Sequence, residues 1–313
     1  MSGKNLFLGI DTSNYTTSAA LCDDTGNILV NCKVPLPVAE GARGLRQSDA
    51  VFHHTKSLPE LSGRLFSHIS ADDITAVGVS TRPRAVDGSY MPCFMVGYSH
   101  AKLLADTLGV PLVECSHQQG HVAASLWSAG RLDLMEMPHL AWHLSGGTTE
   151  LLLVEPEGKN VHCTCIGGTS DISAGQLIDR TGQLLGLPFP AGKHLDALWP
   201  DANNKDVFRV KCPQFTFSLS GVQNKVNQYY DACNDKIETA AYALRCVCQA
   251  VLTATQNAQK EYPGLPVVFS GGVASNAMLR KVVTPLNPIF CEPQFSTDNA
   301  MGVAVLTYRM QEG

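Results

Sequence analysis

The sequence has few charged residues and no long apolar run. Asp, Glu, Lys and Arg make up 16% of its 313 residues, against roughly 25% in a typical soluble domain. Hydrophobic residues make up 44%, which is enough for a large core and excludes a disordered chain. No apolar stretch approaches the ~18 residues that would span a bilayer. The composition therefore predicts a globular protein of about two domains.

Positive charge is also scarce. The chain has 23 Lys and Arg against 28 Asp and Glu, a formal net charge of −5, and it lacks the basic run of a protein that binds nucleic acid alone. A nucleic-acid substrate would need a local basic patch or a basic partner. The apolar run Leu6–Ile10 is too short for the hydrophobic region of a signal peptide. We expect a cytoplasmic protein with no membrane contact.

No Cys-x-x-Cys motif is present. The eleven cysteines are scattered, and the close pairs, Cys163/Cys165 and Cys246/Cys248, have one residue between them. Scattered cysteines in a cytosolic chain are mostly small buried hydrophobic residues. The sequence does not predict a zinc site built from cysteines.

Two kinds of segment occur twice along the chain. Leu6–Ser13 and Leu140–Thr149 each consist of an apolar strand that runs into small polar residues and then a second strand. Ala76–Ser80 and Val267–Gly272 each consist of a strand and a tight loop. Helices are predicted to follow these loops at Phe94–Leu108 and Asn276–Val283.

This repetition predicts an internally duplicated α/β fold of two lobes. We place the first lobe at residues 1–115 and the second at 116–298, and expect the C-terminal helix, about 299–313, to fold back on the first lobe. Helical spacing of apolar residues predicts one long helix over Lys236–Tyr262, ended by Pro263 and Gly264.

Small-residue turns provide the first candidate site. The turns Ser145–Thr149 and Ser270–Gly272 have little side chain to keep an anion from the backbone N–H groups, and a helix start strengthens the second turn. Each could also be an ordinary tight turn. Two such turns in a duplicated frame favour a nucleotide held between the lobes.

A pair of histidines provides the second candidate site. His117 and His121 are four residues apart, so on a helix over residues 118–127 both imidazoles lie on one face and can share a metal. We expect Gly120, between them, to open space for a substrate. A polar surface is the plainer interpretation. A third ligand would come from elsewhere, and Asp298 is a candidate that could equally cap a helix.

Together these motifs resemble the glycoprotease family, the TsaD-type threonylcarbamoyltransferases that modify tRNA. The resemblance covers nearly the whole chain in the family's order. The matching segments are Leu8–Ser13, the pair His117/His121, Ser145–Gly147, Ala174–Asp179, Phe217–Ser218 with Gly221, Ser270–Asn276 and Thr297–Asn299.

The resemblance implies a fold and residue roles. The fold is the duplicated hexokinase–actin–chaperone type (ASKHA), with the nucleotide in the cleft between two lobes. His117, His121 and Asp298 match the ligands of one divalent metal, iron or zinc, and form the catalytic centre. An adenine nucleotide, whether AMP, ATP or threonylcarbamoyl-AMP, is implied as ligand. Its matching positions are Ser145, Gly146, Gly147, Thr148, Thr149, Asp179, Gly192, Gly271, Gly272 and Asn276.

The resemblance also implies a reaction and partners. The family transfers a threonylcarbamoyl group from its AMP anhydride to the exocyclic amine of an adenosine in tRNA, and TsaB-like and TsaE-like proteins are implied as partners. Such a transfer would rest on positioning and charge stabilisation more than on a protein nucleophile.

Several positions depart from the family's pattern. The acidic Cys-Asp-Glu-Thr run is replaced by Asn14–Thr17, a His by Thr148, a Glu by Gln176, and a Gly-Pro-Gly loop by Arg82–Arg84. The metal and nucleotide positions are kept, whereas residues on the acceptor side have changed.

Four other functions can be compared with this one. The changed acceptor side and the net charge of −5 favour a carbamoyl-type transferase with a small-molecule acceptor. The lost acidic residues fit a non-catalytic nucleotide-binding paralogue in a tRNA-modification complex, although the retained metal ligands argue against it. A sugar or acetate kinase on this fold would not need the histidine pair. A protease is not supported, since no nucleophile–base pair or His-Glu-x-x-His run is present.

Overall fold

The computed structural model describes residues 5–13, 15–37, 45–67, 69–295 and 300–311. In the first part of the chain the elements are β1 (Leu6–Asp11), β2 (Thr16–Asp23), β3 (Ile28–Pro35), α1 (Gln47–Leu65), β4 (Ile74–Arg82), α2 (Phe94–Leu108), β5 (Leu112–Ser116) and α3 (His117–Ser128). These are followed by β6 (His139–Leu144), β7 (Thr149–Glu157), β8 (Asn160–Thr169), α4 (Ala174–Leu184), α5 (Gly192–Leu198), β9 (Thr216–Phe217), α6 (Ser220–Cys233), α7 (Lys236–Glu261), β10 (Val267–Ser270), α8 (Ala277–Val283), β11 (Ile289–Phe290) and α9 (Met301–Gln311). No described helix combines the length and apolarity needed to cross a membrane.

The chain forms two compact units. The first consists of Met1–Met137, Glu155–Cys163 and Thr297–Gly313, and the second of Pro138–Val154 and Thr164–Ser296. The division after Met137 lies beyond the boundary near residue 115 that the sequence suggested. The reason is that α3 follows β5 directly and packs on α9, so it stays with the first unit.

The two sheets have the same strand order, which confirms the predicted duplication. The five-stranded sheet runs β3-β2-β1-β4-β5, and the six-stranded sheet runs β11-β10-β6-β7-β8-β9. In both, an antiparallel hairpin (β1–β2 or β6–β7) is extended by a parallel strand (β4 or β10) and a further parallel strand (β5 or β11). The second sheet has β9 as an addition, parallel to β8.

Helix α9 forms the centre of the first unit. Its residues Met301–Thr307 are all buried, because α9 packs on β1, β2 and β4 on one side and on α3 on the other. Glycines allow this close approach: a Cβ on Gly302 would overlap the backbone oxygen of Gly120, and a Cβ on Gly9 would overlap Ala304. Gly120 is buried against Val303. The expectation that Gly120 opens space for a substrate is therefore wrong, because its missing side chain accommodates the neighbouring helix.

The predicted long helix forms the centre of the second unit. Helix α7 covers Lys236–Glu261 and begins at an Asp235 cap that accepts from the N–H groups of Ile237 and Glu238. Helix α7 packs against α4, α5, α6 and α8. The segment Phe215–Gly221 is only briefly a strand, because β9 ends at Phe217 and α6 starts at Ser220.

Candidate active site

The two histidines lie on the first turns of α3. The N-cap Ser116 and Gln119 form a capping box, with Gln119 N donating to Ser116 Oγ at 3.2 Å and Ser116 N donating to Gln119 Oε1 at 2.8 Å. The Gln119 amide also donates to the Val161 carbonyl at 2.7 Å, which fixes this turn. The rings of His117 and His121 meet edge to face with centroids 4.3 Å apart. The helix predicted for this pair is confirmed.

A buried carboxylate contacts the first histidine. Asp11, at the end of β1, is fully buried, and its Oδ2 lies 3.2 Å from His117 Nδ1. Its Oδ2 also accepts from the Ser13 hydroxyl at 2.7 Å, and its Oδ1 accepts from the Ser80 hydroxyl. Burial alone would raise the pKa of Asp11, but His117, Ser80 and Ser13 outweigh burial and lower this pKa below its usual value.

A further histidine is buried close to Asp11. His54 of α1 is fully buried, and its Nδ1 lies 2.8 Å from Thr17 Oγ1 on β2. Among the residues that the structure describes, His54 Nε2 has no hydrogen-bond partner. Burial lowers the pKa of His54 to about 4, against the attraction of Asp11. His54 is therefore neutral near pH 7.

The side chains around the two histidines supply some, but not all, of the ligands that a metal needs. Two imidazoles one helical turn apart are suited to zinc or iron, which favour nitrogen ligands. Of the two His117 ring nitrogens, Nδ1 contacts Asp11. Within the described ranges, no group of three or more His, Cys, Asp or Glu side chains is placed to hold a metal. The predicted third ligand, Asp298, lies outside the described residues.

The turn predicted to hold the nucleotide lies in the second unit. Ser145 N donates to Thr148 O at 2.8 Å and Thr148 N donates to Ser145 Oγ at 3.0 Å, which closes the turn. Gly146 and Gly147 at its tip are exposed, and a Cβ on either would come within 4 Å of none of the described parts of the chain. The turn thus presents an open stretch of backbone. Thr149 is buried and accepts from the N–H group of Ala174 at 2.8 Å.

The second glycine turn lies against the first. Gly271 has a φ of 91°, and a Cβ there would overlap the carbonyl of Leu144, the residue before Ser145. Only glycine fits this position without strain. Gly272 is exposed, and no described residue comes within 4 Å of a Cβ position there. The structure therefore brings the two predicted turns together.

The other three predicted nucleotide residues are held around α5. Asp179 Oδ1 accepts from the N–H group of Ala191 at 2.8 Å, next to Gly192, the first residue of α5. Asn276 caps α8 by accepting from Leu279 N, and its amide donates to Asp196 Oδ1 on α5 at 2.8 Å. Asn276 is thus already occupied as a cap, whereas Asp179 Oδ2 makes no hydrogen bond within the described residues.

Sequence reasoning missed two carboxylates that organise these regions. Asp11 belongs to the segment Leu8–Ser13 that resembles the family, but the sequence alone did not indicate a role for it. Asp171 accepts from the hydroxyls of Ser218 and Ser220, both at 2.5 Å, and from the N–H group of Leu219 at 2.8 Å. These hydrogen bonds lower the pKa of Asp171 well below its usual value, although burial opposes them. The available signal in the sequence was the position of Asp171 in the run Ser170–Ser173, which ends at a helix cap.

Two of the departures from the family's pattern have visible consequences. Gln176 completes a capping box with Ser173 at the start of α4, so it keeps the cap that a Glu would form while removing the charge. The Arg82–Arg84 loop lies beside the histidine helix, since the Pro83 carbonyl accepts from Gln118 N at 3.0 Å. Both arginines are exposed. The replaced Asn14 lies outside the described residues.

The sequence model of the TsaD family, described as tRNA N6-adenosine threonylcarbamoyltransferase, matches residues 40–305. The chain belongs to the TsaD family. It is 30% identical to the Streptococcus suis protein of that name, across 97% of the chain and 92% of the relative. It is 31% identical to the Thermosipho africanus protein of that name, across 97% and 94%. The chain is thus a transferase of the TsaD type.

Solved structures agree on the fold. The chain is similar to full-length HypF in its phosphate- and nucleotide-bound form, with a TM-score of 0.63 and 13% identity over the whole chain and 47% of HypF. It is also similar to component A of the Acidaminococcus fermentans (R)-2-hydroxyglutaryl-CoA dehydratase, with a TM-score of 0.55 and 14% identity over 97% and 98% of the two chains. These similarities and the repeated strand order confirm the predicted ASKHA-type α/β fold.

Proposed function

We propose that this protein transfers a threonylcarbamoyl group from its AMP anhydride to the exocyclic amine of an adenosine in tRNA. The observation that carries the proposal is the His117/His121 pair at the start of α3, with ring centroids 4.3 Å apart, in a chain of the TsaD family. The proposal assigns one divalent metal, iron or zinc, to His117, His121 and Asp298. In the sequence, Asp298 stands three residues before α9, which packs on α3.

The reaction is an acyl transfer with a nucleotide as leaving group. The amine nitrogen attacks the carbamoyl carbon, the bond from that carbon to the phosphate oxygen breaks, AMP leaves with the electron pair, and the amine gives up a proton. A metal at the histidines would supply Lewis-acid polarisation of a carbonyl or phosphoryl oxygen. His117 and His121 hold it, and their placement on a capped helix keeps the donor atoms fixed.

The second unit would bind the adenine nucleotide. Exposed backbone at Gly146, Gly147 and Gly272 can approach a phosphate closely because no side chain intervenes. The second carboxylate oxygen of Asp179 is suited to a ribose hydroxyl. Gly192 lies beside Asp179, and the remaining amide proton of Asn276 completes the proposed set, with Ser145, Thr148, Thr149 and Gly271 shaping the turns.

The loop beside the histidines supports an anionic acceptor such as tRNA. Arg82 and Arg84 place two exposed positive charges next to α3 in a chain of net charge −5. Phosphate contacts of this kind position nucleic acids. A small-molecule acceptor is the second candidate, since the acidic positions of the family are Tyr15 and Thr16 here.

The test is a transfer assay with threonylcarbamoyl-AMP and an unmodified tRNA transcript, run with and without TsaB-like and TsaE-like partners. Digested RNA is analysed by mass spectrometry for threonylcarbamoyladenosine. Modification of the transcript is the expected result. Release of AMP with transfer only to small amines would favour the second candidate. Absence of transfer with metal and nucleotide both bound would indicate a non-catalytic scaffold.

A further inference from the structure

The end of β1 presents a carboxylate to the histidine helix from within the core. Asp11 is fully buried, and burying an ionised carboxylate is unfavourable unless hydrogen bonds and opposite charge compensate. Both of its oxygens are engaged: Oδ1 by Ser80, and Oδ2 by Ser13 and by His117 Nδ1. Such a carboxylate is fixed in one orientation.

The backbone around Asp11 is fixed as well. The parallel register that pairs Ile10 with Val79 places Ser80 beside Asp11 on the next strand. The Ser18 hydroxyl donates to the Asp11 carbonyl at 3.3 Å from the other neighbouring strand. Below this strand end, Gly9 packs directly on α9. Asp11 thus has little freedom to move away from His117.

This contact determines the state of the His117 ring. A neutral imidazole that donates Nδ1–H to a carboxylate carries its lone pair on Nε2. The ring also has two aromatic neighbours, Phe94 at 6.2 Å and His121 at 4.3 Å between centroids. The orientation of the ring is therefore set by contacts within the first unit.

We propose that Asp11 is a positioning residue that holds His117 in the Nδ1-protonated tautomer and so presents Nε2 to a divalent metal. The inference rests on the proposed function, because it needs His117 as a ligand. Asp11 itself does not touch the metal in this assignment. Ser80 supports it indirectly by holding the other carboxylate oxygen. Partners of this kind orient metal-bound histidines, and their loss typically weakens metal affinity about 10- to 100-fold.

The experiment compares Zn²⁺ affinity of the full chain and its variants by competition with a chromophoric chelator. Asp11→Asn keeps the size of the side chain and is expected to weaken Zn²⁺ binding about 10- to 100-fold. Ser80→Ala is expected to weaken it in the same direction by less. Asp23→Asn is the matched control: its carboxylate binds Thr25 and Asn27 in an exposed turn, and the Zn²⁺ affinity should not change.

Nitrogen NMR of the His117 ring provides a second readout. The metal-free protein should show Nδ1 protonated in the neutral form, and Asp11→Asn should show a mixture of tautomers. Unchanged affinity and tautomer in folded Asp11→Asn would overturn the inference. If circular dichroism shows that Asp11→Asn does not fold, Ser80→Ala decides the question by the same two measurements. If instead the proposed metal site itself is wrong, His117→Ala and His121→Ala will bind Zn²⁺ as tightly as the original chain.

Discussion

The two units differ in the groups that a serine hydroxyl binds at equivalent strand ends. In the first unit β4 ends near Ser80, whose hydroxyl donates to the side chain of Asp11 on the neighbouring strand. In the second unit β10 ends at Ser270, whose hydroxyl donates to the backbone carbonyl of Trp142 at 2.8 Å. The strand order is the same in both sheets. The same serine position therefore supports an ionised side chain in one unit and plain backbone in the other.

This difference separates two ways of building a site on one fold. Buried Asp11 and the histidines give the first unit groups that titrate and can bind a metal. Exposed Gly146 and Gly147 give the second unit backbone N–H groups that keep their polarity at any ordinary pH. Changes in pH and in the histidine residues should therefore affect the chemistry of the first unit, whereas a methyl group added at the exposed glycine turn should affect ligand binding by the second.

The largest effect is expected where the first unit has no room for a side chain. Gly302→Ala would drive a Cβ into the backbone of Gly120 on α3, and we expect a loss of about 3 kcal/mol or more in the free energy of unfolding, since backbone must shift. Gly63→Ala is the control: it lies inside α1 with nothing within 4 Å of a Cβ position and should stabilise by up to about 1 kcal/mol. Thermal and urea unfolding measure both. Equal stability of the two variants would contradict the α3–α9 packing described above.

The next effect concerns the histidine pair. His121→Ala should abolish stoichiometric metal binding and reduce transfer at least about 100-fold, because Lewis-acid stabilisation contributes several kcal/mol. His100→Ala, on the exposed side of α2, is the matched control and should retain both. Metal content by elemental analysis and turnover are the measurements. A full metal content in His121→Ala would show that the metal is bound by other residues.

A smaller effect is expected from acid. The pKa of His54 is lowered from 6.5 to about 4, so between these values the unfolded chain binds a proton that the folded chain does not. The contribution of His54 to stability is thus unaffected above pH 6.5 and falls as the pH drops toward 4. From pH 7 to pH 5 this amounts to about 2 kcal/mol. His54→Gln cannot titrate, so its unfolding free energy should fall less over this interval. Parallel losses in both proteins would show that His54 does not contribute.

Much of this organisation could be predicted from sequence, and the failures share a cause. The repeated apolar strands, the long helix α7 and the helix that carries His117 and His121 follow from local patterns that a single segment contains. The partnership of Asp11 with His117 joins residues more than 100 positions apart, and that of Asp171 with Ser218 joins residues 47 apart. Gly120 was misassigned for the same reason, because the neighbour against which it packs, Val303, lies on another helix. Only the packed fold shows such pairs.

The smallest effect tests the backbone site of the second unit. Gly147→Ala should fold normally, since a Cβ there meets nothing within 4 Å and its backbone is not left-handed. The added methyl group should keep a phosphate from the turn. We expect AMP to bind about 10-fold more weakly, since a hydrogen bond to a charged group is worth about 1.5–3 kcal/mol and about 1.4 kcal/mol is tenfold. Calorimetric titration measures this, with Gly63→Ala as the control. Unchanged affinity would mean that Ser145–Thr149 is an ordinary tight turn, and that the nucleotide is held by Asp179 and its neighbours instead.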